Sequence, residues 1–172
     1  MADYFSPTVI QPTIPLADMT PLECLILSHI FSAEPDGEGM YFYAEESPAV
    51  MPALSHAEFA AALAASETFT SSLNAYVAER VPRSPIVDDI VLLDLSGMSW
   101  EFIFQDIVRR SKSLRYITAV ASFTCSKMRP DGFGGMAVLI TATAIMGKST
   151  NDLLEDFLAE AGLDEAGAPA QR

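Results

Sequence analysis

Two apolar runs rich in β-branched residues, 114–126 and 136–146, flank the loop Ser126-Lys127-Met128-Arg129-Pro130-Asp131-Gly132-Phe133-Gly134-Gly135. Such a pattern reads as a long β-hairpin, because strand-forming residues stand on both sides of a turn-forming cluster. Little else in the chain is both apolar and long enough to make the middle of a sheet. Helices to either side are therefore expected to shelter the hairpin's apolar side. The chain has 172 residues, half of them hydrophobic, enough to bury a core without disulfides or metal. One globular domain over 1–172 is the expectation.

The remaining elements follow from local signals. Residues 1–18 contain Pro7, Pro12 and Pro15 among scattered apolar side chains, which predicts an extended arm lying on the domain. Thr20-Pro21-Leu22-Glu23 has the form of a capping box with proline at the first helical position, opening a helix over 20–33. That helix is apolar on most sides, and its stripe includes His29, so it should be buried. Glu34-Pro35-Asp36-Gly37 reads as a turn, and the aromatic run near 40–45 as a short strand. Ser55-His56-Ala57-Glu58 repeats the capping-box pattern and opens a helical region over 55–80, with a kink or break expected between Ser66 and Thr70.

Downstream, an apolar run edged by acids predicts a buried strand over 88–95. An amphipathic helix is predicted over 99–112, with Trp100, Ile103, Phe104, Ile107 and Val108 on one face. After the hairpin, Ser149-Thr150-Asn151-Asp152 caps a helix over 150–161. Its buried side is expected to be Leu153, Leu154, Phe157, Leu158 and Ala161, with Gly162 as the stop and 163–172 as a flexible tail. The order of elements, with a long hairpin instead of regular β-α alternation, points to an α+β fold.

Charge is distributed unevenly. The net charge is −13, yet Met1–Glu79 holds eleven acids and no Lys or Arg, while nine of the ten bases fall between Arg80 and Lys148. A chain this acidic repels free nucleic acid, so direct nucleic-acid binding is not expected. No run approaches the roughly 20 apolar residues that span a bilayer. The first residues have neither a basic region nor an apolar core of a secretion signal, and Cys24 and Cys125 fall in a predicted helix and a predicted strand. A cytoplasmic chain with reduced cysteines and no membrane partner is the expectation.

Several chemistries can be weighed. Ala142-Thr143-Ala144-Ile145-Met146-Gly147-Lys148-Ser149 matches a permissive phosphate-loop pattern, but strand residues stand where glycine-rich loop is needed. The hairpin loop offers Lys127 and Arg129 to an anion, Asp131 as a base or ligand, and Phe133 as a contact residue among glycines. With Lys148 these form one candidate ligand site, while Pro-Asp-Gly is equally an ordinary turn. His29 and His56 lack metal-ligand spacing, Cys125 has no local base, and Asp88, Asp89 and Asp94 read as the solvated ends of a strand. No metal and no cofactor is expected. The acids themselves are the other candidate. Glu34, Asp36, Glu38, Glu45 and Glu46, unrelieved by any base, can present a nucleic-acid-like field to a basic groove, or simply keep the chain soluble.

The segments Ser122–Gly135 and Lys148–Phe157 resemble small uncharacterised bacterial proteins that accompany plasmids and conjugative elements. The resemblance carries no activity and no catalytic residue. It implies an accessory protein of mobile DNA that binds another macromolecule, acidic inhibitors of host defence being one recurring type. A small phosphate- or ligand-directed enzyme built on the 126–135 loop is the alternative expectation.

Overall fold

The computed structural model describes residues 2–80, 86–129 and 132–163. The predicted hairpin forms, and it organises an eight-stranded antiparallel sheet in an α+β fold. β9 (Tyr116–Cys125) pairs along its length with β10 (Gly134–Thr141), Val138 opposite Ala119 and Ile140 opposite Ile117. The expected second strand, 136–146, is divided. Thr141 Oγ1 accepts the backbone N–H groups of Thr143 and Ala144, which reverses the chain, and β11 (Ile145–Ser149) runs back along β10 as an outer strand.

The segment read as an arm lying on the domain is part of the sheet. β1 (Tyr4–Phe5), β2 (Thr8–Gln11) and β3 (Ile14–Pro15) are successive pieces of one broken extended path. β1 and β2 pair with β9, and β2 and β3 pair with β5 (Gly39–Ala44). Residues 32–36, expected as a helix end and a turn, form β4 (Ser32–Asp36), which hairpins with β5. Pro35 lacks an N–H and is tolerated there because β4 lies outermost.

Among the described residues, five α-helices accompany the sheet. α1 (Pro21–Ile30) starts with the predicted capping box, Thr20 and Glu23 each bonding the other's backbone N–H. Its Glu23 is fully buried and also receives Arg110 from α4 (Trp100–Arg110), so one carboxylate ties two helices together. His29, expected on the buried side, is exposed and shares a hydrogen bond with the Leu25 carbonyl. The long alanine-rich region breaks where expected, into α2 (His56–Ser66) and α3 (Ser72–Arg80). At the break, buried Ser66 accepts the Leu22 N–H, and Asn74 Nδ2 donates to the Ser66 and Phe69 carbonyls.

The second predicted capping box does not form. Ser55 stands at the N-cap of α2 and ends β6 (Ala53–Ser55), opposite Ile90, but its side chain makes no cap bond. The run expected as a buried strand over 88–95 is also different. Asp88 and Asp89, both at positive φ, make the two-residue turn between β7 (Ile86–Val87) and β8 (Ile90–Leu92), which with β6 form a separate three-stranded sheet. Val91 is buried, while Ile90 and Leu92 are exposed. The final helix, α5 (Thr150–Glu160), begins at the predicted cap, where Ser149 and Asp152 form a reciprocal box, and stops at Gly162, whose φ is +69°.

The core lies on one face of the large sheet. Ile10, Phe42, Ile117, Val138 and Ile140 point into it, and α1 and α4 close it with Leu22, Ile26, Ile103 and Phe104. Phe31, Phe42, Trp100 and Phe104 meet there at ring-centre distances of 5.4 to 6.4 Å, mostly edge to face. Among the described residues no helix is long and apolar enough to cross a membrane.

Candidate functional site

Strand alternation sends every second side chain of the large sheet away from that core. On the side opposite α1 and α4 stand Tyr41 and Tyr43 from β5, Val9 from β2, Thr118 and Val120 from β9, and Leu139 from β10. No described helix lies over them: Val9 is 39% exposed, Val120 52% and Tyr116 53%. Strands apolar on both faces belong in sheets covered on both sides. This sheet is covered on one, and its second face leaves apolar groups in water.

The open face has two halves. At the β4–β5 end a shallow depression of about 530 Å³ is lined by Val9, Glu34, Tyr41, Tyr43, Glu45 and Val120. The Tyr41 and Tyr43 rings stack at 5.4 Å. The Tyr43 hydroxyl donates to Glu34 Oε1 at 2.7 Å, and the adjoining carboxylate pushes the Tyr43 phenol above its ordinary pKa. All five acids predicted as an interaction surface, Glu34, Asp36, Glu38, Glu45 and Glu46, are exposed on this hairpin and just after it. Two of them, Glu34 and Glu45, stand beside an aromatic pair that sequence reasoning had not counted. The signal was present in Tyr41-Phe42-Tyr43, where alternation puts Phe42 inside and both tyrosines outside.

The other half, toward β11, is a groove of about 460 Å³ lined by Val120, Ala137, Leu139, Met146 and Lys148. Lys148 pairs with Asp156 of α5, and that carboxylate raises the Lys148 pKa. The phosphate-loop pattern therefore resolves into turn, strand and helix cap. Asp152 closes the helix start by accepting the Ser149 N–H at 2.6 Å, and those bonds lower its pKa. A carboxylate already occupies the position where a phosphate would meet the helix end.

The candidate ligand residues of the hairpin loop are dispersed. Lys127 and Arg129 are exposed, Phe133 is 44% exposed and faces a cleft of about 240 Å³ with Tyr4, Phe123 and Thr150, and Lys148 lies on the open face. Asp131 lies outside the described residues. The loop's glycines have an internal reason: a Cβ at Gly132 would stand 2.5 Å from the Cys125 Cβ, and one at Gly134 2.8 Å from Thr150 Oγ1. Close packing within the chain accounts for them.

Other reactive groups are spread apart. Among the described residues no three His, Cys, Asp or Glu side chains gather to hold a metal ion. His56 faces Asp89 at 3.7 Å, and burial pushes the Cys24 thiol up, away from thiolate reactivity. Comparison with models of protein families, with curated proteins and with solved structures found no match.

Proposed function

We propose that this chain works by binding another protein, with the β4–β5 end of the open sheet face as the contact and a basic groove as its counterpart. The observation that carries this reading is the stacked Tyr41–Tyr43 pair rimmed by Glu34 and Glu45. Aromatic anchors surrounded by a polar rim are how compact interfaces concentrate their energy. The rim sets the partner's sign. Carboxylates speed encounter with a basic surface and reject an acidic one, through a field that salt screens over about 10 Å at 0.1 M.

The setting we propose is that of an accessory protein of bacterial mobile DNA. In the sharper form of the reading, the acids imitate phosphates and occupy a groove built for nucleic acid. The test is affinity capture from bacterial cells with three chains in parallel: wild type, the double variant Glu34→Lys with Glu45→Lys, and the double variant Lys127→Ala with Arg129→Ala. A partner that is held by wild type and the loop variant, released by the charge reversal, and eluted by moderate salt supports the reading. Capture that survives charge reversal and is lost with Lys127 and Arg129 moves the working site to the hairpin loop and ends this proposal.

A further inference from the structure

The α5 stripe of Leu153, Leu154, Phe157 and Leu158, expected as a buried side, is 42 to 60% exposed, yet nothing about it selects a particular cover. The β4–β5 end of the open face is more specific, because rings and charges stand there in a fixed order. Glu34 of β4 lies opposite Tyr41 of β5, Tyr43 opposite Val9 of β2, and Val9 opposite Val120 of β9. Carboxylate, rings and apolar floor therefore fall within three strand spacings of about 4.8 Å each. Glu34 spends only Oε1 on the Tyr43 hydroxyl. That hydrogen bond raises the Tyr43 pKa most and the Glu45 charge adds to it, so both carboxylates act on the same ring. Among the described residues no Lys or Arg lines the depression.

We propose that this depression seats one arginine side chain of the protein partner, its guanidinium on the Tyr41–Tyr43 rings and bonded to Glu34 and Glu45, its methylenes on Val9 and Val120. The inference rests on the reading above that the chain binds a protein at this end, and it names the group that the partner inserts.

Each part of the depression matches a different part of that side chain. Ring faces attract a cation, and a planar, weakly hydrated guanidinium lies flat on them as a compact ammonium does not. Carboxylates accept its forked N–H groups, and its apolar stem needs an apolar floor. An uncharged anchor would leave both carboxylates without a partner, and an anionic one would be repelled. A bare metal ion is a poor match, since among the described residues no three His, Cys, Asp or Glu side chains gather. A free small molecule would be little enclosed in so shallow a depression, whereas a side chain arrives with the protein surface around it.

The experiment is amide NMR of the full chain titrated with three blocked tripeptides, Gly-Arg-Gly, Gly-Lys-Gly and Gly-citrulline-Gly. The arginine peptide is expected to move the amides of 9, 41–45 and 120 saturably. It should bind about threefold or more tighter than the lysine peptide, and about tenfold or more tighter than citrulline, which keeps the plane and loses the charge. Tyr41→Leu removes a ring and keeps an apolar side chain, so it should bring arginine down to the lysine level, while Glu34→Gln should weaken both. Amides outside the depression report whether each variant keeps its fold. The proposal is overturned by equal binding of arginine and lysine that Tyr41→Leu leaves unchanged, by citrulline binding as tightly as arginine, by shifts that map elsewhere, or by no saturable shift. The partner reading survives any of these if reversing Glu34 and Glu45 still releases the captured protein. Capture that ignores the reversal, while the arginine peptide still binds here, ends that reading and leaves the arginine seat.

Discussion

The two faces of β9 can be compared residue against residue. Ile117 and Ala119 point one way and are almost completely buried; Tyr116 and Val120 point the other way and are half exposed. Composition does not distinguish the two sets, since both are apolar or aromatic. What separates them is the rest of the chain: α1 and α4 lie over one side, and no described helix lies over the other. Hydrophobicity in a strand thus records that a face is to be covered, without recording by which molecule. Here the covered face accounts for folding and the open face for the binding proposed above.

The sharpest way to break this comparison is to damage the covered side. Phe104 is fully buried and touches Phe31, Phe42 and Trp100. Phe104→Ala is expected to cost about 3 to 5 kcal/mol in urea unfolding. Tyr41→Ala, on the open face, should stay within roughly 1 kcal/mol.

Next in size is the ion pair at the covered side's rim. Glu23 is fully buried and pairs with Arg110, and among the described residues Glu23 Oε1 and Arg110 Nη1 each lack a further partner. Removing one member strands the other, so Arg110→Met should cost about 3 kcal/mol, while Glu23→Leu with Arg110→Met should cost less than that single change. A double variant less stable than either single one would show that the pair is not what links α1 to α4.

The smallest effect sharpens the open side. The Tyr43 hydroxyl donates to Glu34, which holds the phenol above its ordinary pKa of about 10. The folded chain keeps that proton longer than the unfolded chain does. The stability this bond contributes is therefore present below the ordinary phenol value and lost as pH rises through the folded one. Ultraviolet titration of tyrosinate should show one tyrosine of Glu34→Gln ionising at lower pH than in wild type. Identical curves would mean that the Tyr43–Glu34 bond does not persist in solution.

Much of this architecture was legible locally. The capping box at Thr20–Glu23, the helix cap at Ser149, the break at Ser66 and the hairpin of β9 and β10 each announce themselves within a few residues, and each forms. Features that depend on distant partners were not legible. β2 reads as part of a proline-punctuated arm because the strand it completes, β9, lies more than a hundred residues away. Ser55 carries a cap signature and stands at the N-cap of α2, yet its side chain makes no cap bond. The stripe of α5 looks like any core stripe, since the sequence does not say that its own domain leaves it bare.

The candidate site divides in the same way. The acids of 34–46 were visible as a charge run. The proximity of Glu34 and Glu45 to Tyr41, Tyr43, Val9 and Val120 depends on sheet order, which brings β2 between β5 and β9. Lys148, read as part of an anion site, is matched by Asp156 two turns along the following helix.

The central claim is that one side of this sheet is core and the other is not. Ile117 and Val120 lie three residues apart on the same strand with opposite orientations, so the direct test is Ile117→Ser against Val120→Ser, unfolded by urea in dilute solution. The account predicts a loss of about 3 kcal/mol or more for Ile117→Ser and about 0.5 kcal/mol or less for Val120→Ser. Equal losses from both substitutions would contradict it, because they would mean that the chain's own fold buries the face assigned here to partners.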